Sequence, residues 1–375
     1  MRLLVVGYSV RALAQSARQA GYDVRAVDYF GDRDLVETVP TRSIRHDLDQ
    51  AYRPEGLVEL ARSMEVEAVV YTGGLENHPS VVEELRAGRK LWGNDGQTLK
   101  EVRDWRRLDA LFRQRKIAFP QVVFPGQAVP PGQWLSKPER GAGGGGIHRW
   151  QGESLRRGCY LQEFLRGPSG SATFLCDGKR ASLVAVTEQL VGERAFTDGE
   201  FTWCGNLVPF ESAEGDEIEG PLEEIGQALT ETFGLRGLNG VDFILASRGE
   251  KAVPLPLEVN PRPTASLEVI EAALGRSLLP WHEAACRGEL RQLPRPRKGF
   301  WGKAVVYARR ELHLGTTEGW HERGRRDIPH DGEVIPARAP ICTVLAGGGD
   351  REECIGALER AAGVVRRESG DEEGL

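Results

Sequence analysis

The sequence predicts an α/β protein: an N-terminal doubly wound parallel sheet, a two-lobed α+β region, and a small β-rich C-terminal domain. Three observations carry this reading. The first hundred residues alternate short apolar runs with segments of helical period. Residues 134–146 run from a strand into a stretch holding five glycines in six positions. Two apolar strands, near residues 242 and 258, each place acidic or amide side chains on one face. A chain of 375 residues accommodates two or three domains with substantial cores. The expected divisions are 1–98, 99–165, 166–292 and 293–375.

Residues 3–6 read as a buried strand and Gly7 as a turn. Leu13, Ala14, Ala17 and Ala20 recur at helical spacing over 10–20, and Gly21 ends that helix. Residues 24–27 form the next strand, closed by Asp28. A helix near 55–64 (Leu57, Leu60, Ala61, Met64), a strand at 68–71 and a helix after Pro79 complete the alternation. Gly7 followed by Asp28 invites a dinucleotide reading. Ser9 and Ala12, however, stand where the second and third fingerprint glycines belong, so NAD is not expected. Glu76, Asn77 and His78 follow the strand at the sheet edge where ligands bind. They touch substrate, or Asn77 and His78 cap the helix begun by Pro79.

Residues 99–165 hold a helix with Leu108, Leu111 and Phe112 on one face, then strands around the glycines. Asp177-Gly178 between the strands 171–176 and 181–186 is a hairpin signal. In 192–205, Arg194 and Trp203 stand in a polar loop that closes over substrate or forms a longer hairpin. Pro221 opens a helix with Leu222, Ile225, Leu229 and Phe233 inward, and Gly234 ends it. The Pro/Arg-rich stretch 293–297 marks a boundary. Beyond it, 303–308 and 341–346 read as strands, 351–362 as a charged helix, and Glu372-Glu373 as a frayed tail.

The chemistry concentrates in Leu257-Glu258-Val259-Asn260-Pro261-Arg262. Side chains two apart on a strand share a face, so Glu258 and Asn260 can hold one hard cation, with Arg262 extending the row. Asp242, on the other apolar strand, can complete the set. Oxygen ligands beside a guanidinium suit Mg²⁺ carrying nucleotide phosphates. The alternative is an acidic strand exposed to water, and the apolar neighbours Leu255, Leu257 and Val259 argue against it. Upstream, Lys137 precedes Gly141, Gly143, Gly144, Gly145 and Gly146, whose backbone N–H groups are free to wrap phosphate oxygens. The spacing is neither a Walker loop nor a dinucleotide fingerprint. Gln162, Glu163, Phe164 and Leu165 end an apolar strand whose backbone can meet an adenine edge.

Composition narrows the classes. Hydrophobic content of 40% and charged content of 28% describe an ordinary soluble protein. A net charge of −6 lends no support to nucleic-acid binding. Six cysteines lie without C-x-x-C spacing, so zinc is not expected and reduced thiols in a cytoplasm are. The apolar start is too short for a signal peptide, and no stretch reaches membrane-spanning length.

In order and type these motifs resemble the ATP-grasp superfamily, over roughly residues 1–290. The resemblance implies a pre-ATP-grasp first domain helping to form the acceptor site, then the ATP-grasp fold. It further implies that Lys137 contacts nucleotide phosphate, that 141–146 form a mobile phosphate loop, and that Gln162 to Leu165 line the adenine. Asp242, Glu258 and Asn260 would ligate Mg²⁺ (or Mn²⁺), with Arg262 on the γ-phosphate or an acyl phosphate. One departure stands out: where the superfamily usually has another nucleotide-binding lysine, this chain has Arg103 and Arg106. The C-terminal Gly302-Lys303-Ala304 and 340–343 are most similar to carboligase-like members related to biotin carboxylase.

The implied activity is ATP-dependent joining of a small carboxylate to an amine through an acyl phosphate, releasing ADP and phosphate. Such a reaction would fit cofactor biosynthesis. Homodimers are common among such enzymes. Alternatives are a bicarbonate-using carboxylase, a kinase-like transfer to a hydroxyl, and an ATP-holding regulatory module without turnover.

Overall fold

The computed structural model describes residues 1–212, 218–248 and 251–371. The expected tail at Glu372-Glu373 lies outside the described residues. The N-terminal region is β1 (Arg2–Val6), α1 (Arg11–Gln19), β2 (Asp23–Asp28), α2 (Arg33–Val36), β3 (Thr41–Ser43), α3 (Pro54–Ala61), β4 (Ala68–Tyr71), α4 (Pro79–Arg86) and β5 (Lys90–Trp92). Its five strands are parallel in the order β3-β2-β1-β4-β5. β1 and β4 are central and buried on both faces, which is why they read as unbroken apolar runs. The edge strands β3 and β5 have three residues each, too short to show a period in the sequence.

Two helices, α5 (Gly96–Val102) and α6 (Trp105–Arg115), lead to a small antiparallel sheet. It comprises β6 (Val122–Val123), β7 (Trp134–Pro138), β8 (His148–Arg149) and β9 (Cys159–Glu163), ordered β6-β9-β7-β8. The large lobe follows with β10 (Ser169–Asp177), β11 (Ala181–Val191), β12 (Trp203–Val208), α7 (Glu219–Phe233), β13 (Arg236–Arg248), β14 (Lys251–Asn260), α8 (Leu267–Leu274) and α9 (Leu279–Cys286). The C-terminal elements are β15 (Phe300–Tyr307), β16 (Leu312–His313), β17 (Arg325–Arg326), β18 (Val334–Ile335), β19 (Pro340–Gly348) and α10 (Arg351–Ser369). An eight-stranded antiparallel sheet runs β14-β13-β10-β11-β12-β15-β19-β17. The strands of 293–375 thus continue the sheet of 166–292, and the core beneath α10, around Val306, Val344, Leu358 and Val365, is shared with Leu190, Phe196, Cys204 and Leu207 of that lobe. Helix α10 outruns the expected 351–362 because Ala362, Val365 and Ser369 carry its buried stripe onward.

Strand β14 is the edge of this sheet, yet Leu255 and Val259 are buried there. The apolar neighbours excluded exposure, not an edge position. Among the described residues, no helix is long and apolar enough to cross a membrane.

Candidate functional site

Pairing of β13 with β14 sets Asp242 directly opposite Glu258 and Gly240 opposite Asn260. Side-chain alternation then brings Asp242, Glu258 and Asn260 to one face. Ser171 on β10 donates to Asp242 Oδ1 at 2.7 Å, and Asn260 Nδ2 donates to Asp242 Oδ2 at 3.0 Å. Burial, and then the charge of Glu258, pushes the Asp242 carboxyl up. Like charges directly opposite on adjacent strands destabilise a sheet unless a cation lies between them.

Two cations of the chain serve this pair. Arg103, in the turn between α5 and α6, hydrogen-bonds Glu258 and donates to Val259 O at 3.1 Å, Asn77 Oδ1 at 3.1 Å and Gly141 O at 3.3 Å. Arg106 instead lies outside, over the Phe124 ring. Lys137 on β7 is buried and donates to Gln162 Oε1 at 3.0 Å. Burial lowers the Lys137 pKa, against the pull of Glu258 and Asp242. Nucleotide phosphates would draw Lys137 and Arg103 to themselves and leave the carboxylates to a metal. Hard oxygen donors from Asp242, Glu258 and the Asn260 amide on one face fit Mg²⁺.

Arg262 sits in the bend after β14. Its Nε and Nη2 donate to Glu76 Oε1 at 3.0 and 2.6 Å, and Nη2 also reaches Asn260 Oδ1 at 3.3 Å. Burial alone would raise the Glu76 carboxyl; Arg262, then Arg103, outweigh it and hold the pKa below its ordinary value. Glu76 Oε2 has no hydrogen-bond partner.

The glycine stretch loops over this row. Gly143, Gly144 and Gly146 have φ of 60°, 83° and 78°, the left-handed region that favours glycine. A Cβ on Gly144 would stand 1.8 Å from Phe201 O, so the loop rests against 201–203, and Trp203 N donates to Gly143 O at 3.3 Å. Gln162 Nε2 also donates to Leu257 O at 3.4 Å, joining the small sheet to the large lobe. Glu163 accepts from Gln121 N at 3.1 Å, and Arg149 lies 4.3 Å above the Phe164 ring.

Asp242, Glu258, Asn260, Arg262, Arg103, Lys137 and Gln162 border one cleft of about 1430 Å³ or the small cavity beside it, whereas Glu76 lies behind Arg262 and lines neither. The cleft is roomy enough for a nucleotide and a second substrate. Trp203, His78 and Leu165 line the cleft as well. His78 occupies the N-cap position of α4 without a side-chain capping bond. Asn77 Nδ2 donates to Gly141 O at 3.3 Å, so the capping reading does not describe either side chain. Arg194 is exposed and is not part of the cleft wall; the loop carrying it turns outward toward Arg309. Two residues that the sequence reading did not single out act here. Ser171 orients Asp242, and Arg149 covers Phe164; a lone serine or arginine beside a strand carries no signal of its own.

An ATP-grasp domain model matches residues 103–266. An uncharacterized protein of Methanocaldococcus jannaschii is 21% identical over 368 residues, covering 92% of this chain and 88% of that one. Pyruvate carboxylase of Rhizobium etli superposes with a TM-score of 0.72 at 15% identity; 96% of this chain is covered, but it spans only 37% of that longer one. The L-amino acid ligase of Bacillus licheniformis superposes with a TM-score of 0.66 at 14% identity, covering 96% of both chains. The domain match falls on the stretch that holds Arg103, Lys137, the glycine loop and the Asp242–Glu258–Asn260 row, and by it residues 103–266 are an ATP-grasp domain.

Proposed function

We propose that this protein is an ATP- and Mg²⁺-dependent ligase that joins a small carboxylate to an amine through an acyl phosphate. The observation that carries the reading is the convergence of Lys137, Arg103, the glycine loop, the Asp242–Glu258–Asn260 row and Arg262 on one cleft. ATP-grasp proteins are in general ATP-dependent ligases. The likeness to an amino acid ligase supports the carboxylate–amine class.

The roles follow from position. Lys137, Arg103 and the loop N–H groups bind phosphate oxygens, with Gln162 to Leu165 beside the base. Asp242, Glu258 and Asn260 hold Mg²⁺, which when bound neutralises charge on the phosphate oxygens. A substrate carboxylate oxygen attacks the γ-phosphorus and ADP leaves. Amine nitrogen then attacks the acyl carbon, the C–O bond to phosphate breaks, and the proton lost from nitrogen leaves with solvent or phosphate. Arg262, fixed by Glu76, is placed to steady the transferring phosphoryl group. Orientation and charge placement, not a protein nucleophile, supply the rate.

The test is ADP and phosphate release from Mg·ATP across pairs of carboxylates and amines, with bicarbonate as a further acceptor and mass spectrometry of products. ADP release that requires one acid–amine pair is the expected result. Dependence on bicarbonate replaces ligation by carboxylation. Tight ATP binding without ADP under any pair favours a regulatory module.

A further inference from the structure

One part of the cleft wall is aromatic. Tyr8, in the turn after β1, stacks on Tyr29 with centroids 5.6 Å apart and planes at 9°. Its ring also meets Phe30 edge-on at 5.0 Å and Tyr52 edge-on at 4.8 Å. All four rings line the cleft, at the C-terminal edge of the parallel sheet where ligands bind. Tyr8 is 40% exposed, and Val334, also 40% exposed, lines the same cleft. They are two of the four large apolar side chains exposed to this degree among the described residues, so apolar surface concentrates where a ligand would cover it.

Next to this box lies an excess of acid. Asp32, Glu268, Glu271 and Asp327 line the cleft, with Asp28 and Asp34 behind them. The ion pairs of this group run to Arg11 and Lys303. Arg11 reaches Asp327 at 2.9 Å, Asp34 at 3.6 Å, and Glu268; Lys303 reaches Glu268 at 2.8 Å. Asp32 is left out. It is only 7% exposed, and its Oδ2 has no hydrogen-bond partner. An unmatched buried carboxyl is costly and attracts a cation. Burial, then Asp327, Asp28 and Asp34, drives its pKa well up in the absence of one.

The box also adjoins the reacting end of the cleft. A Cβ on Gly73 would lie 3.3 Å from Arg262 Cζ, and one on Gly74 would lie 3.1 Å from Tyr52 Oη. Tyr8 N donates to Gly73 O at 3.0 Å. A molecule against Tyr8 and Tyr52 is therefore a neighbour of Arg262.

We propose that Tyr8, Tyr29, Phe30, Tyr52 and Asp32 form an acceptor subsite for an ammonium compound with an apolar body. The ring faces attract the cation, the carboxyl of Asp32 pairs with it, and Tyr8 and Val334 cover the body. The same acids repel a carboxylate, which places the acid substrate elsewhere, on the Arg262 side. This inference rests on the ligase reading for its place in the reaction, but binding tests it separately.

Isothermal titration calorimetry of the full chain without ATP compares 2-phenylethylamine, 2-phenylethanol and phenylacetate, which share a ring and differ in charge. The amine is expected to bind about tenfold or more tightly than the alcohol, and phenylacetate more weakly than both. Asp32→Asn should remove the preference for amine while leaving alcohol binding in place, and Tyr8→Ala should weaken amine and alcohol alike. Because Tyr8 is exposed, its variant reports even where a change at Asp32 disturbs folding. Equal affinity for amine and alcohol, preference for the carboxylate, or no detectable amine binding at millimolar concentration would overturn the subsite. Amine binding with no ADP from any acid sinks the ligase reading alone; ADP formation without amine preference sinks only this inference.

Discussion

Glu258 stands opposite a second half-buried carboxylate and is held by Arg103, an arrangement of like charges that works against the sheet. Glu258→Gln keeps the shape and removes one of the two charges. ADP release should fall by about a hundredfold or more, while the melting temperature stays close to that of the parent, since relief of the Asp242 repulsion offsets a weaker bond to Arg103. Calorimetric melting and a coupled ADP assay on the same preparation check both halves. A near-normal rate would remove Glu258 from the metal set. The Glu258–Asn260 row was legible because strand period two is a local property. Arg103 was one of two arginines named from the sequence, and the fold puts it within reach of Glu258 and Gly141, while Arg106 lies over Phe124.

Among the elements, the glycine loop and α9 make opposite kinds of prediction. Gly144→Ala would drive a methyl group into Phe201 O at a backbone angle that alanine resists, whereas Gly143→Ala meets nothing within 4 Å. The first variant should raise the KM for ATP about tenfold or more, and the second should cost only the left-handed backbone, roughly 1 kcal/mol. Both should melt near the parent temperature because the loop is largely exposed. Similar KM values for the two would show that contact with 201–203 does not shape the phosphate site. In α9, His282 is fully buried, accepts Leu238 N–H at Nδ1 at 2.8 Å and lies 3.3 Å from Trp92 O through Nε2. It bridges β13 and β5 as a neutral ring, and burial pushes its pKa down to about 4. The unfolded chain takes up a proton near the ordinary value, so this stabilisation is full above pH 6.5 and is lost as pH falls toward 4. The loss is on the order of 3 kcal/mol. Urea titrations at stepped pH should show a steeper acid decline for the parent than for His282→Gln; parallel curves would mean that His282 does not govern this window.

Across the whole molecule, three parts of the chain meet at one guanidinium. Arg11 of α1 is 1% exposed and pairs with Glu268 of α8 and with Asp327 beyond β17. It ties the parallel sheet to the large lobe and to the C-terminal elements at the base of the cleft. Arg11→Met fills a similar volume but strands these acids in a buried setting. The expected loss is about 3–5 kcal/mol, read as a lower urea midpoint, and it should shrink at acid pH where the carboxyls are protonated. A midpoint unchanged at neutral pH would show that the network does not join the parts. The same acids flank the proposed ammonium subsite, so the base of the cleft serves both cohesion and selectivity.

The sequence by itself determined the parallel first sheet, the hairpin at Asp177, the helix ended by Gly234 and the acid–amide row of β14. Each of these is written in the spacing of neighbours, in apolar runs, period two, period 3.6 and glycine punctuation, which depend on the chain only a few residues at a time. Only the tertiary structure decided that Asp242 faces Glu258, that Glu76 holds Arg262, that Asn77 serves the glycine loop rather than a helix cap, and that Arg194 turns away. It alone gathered Tyr8, Tyr29, Phe30 and Tyr52 beside Asp32. Pairings of this kind join residues tens to hundreds of positions apart, and an ion pair or ring contact imposes no pattern on the sequence between its partners. They exist because strand order and the packing of the lobes bring distant loops to the edge of one cleft.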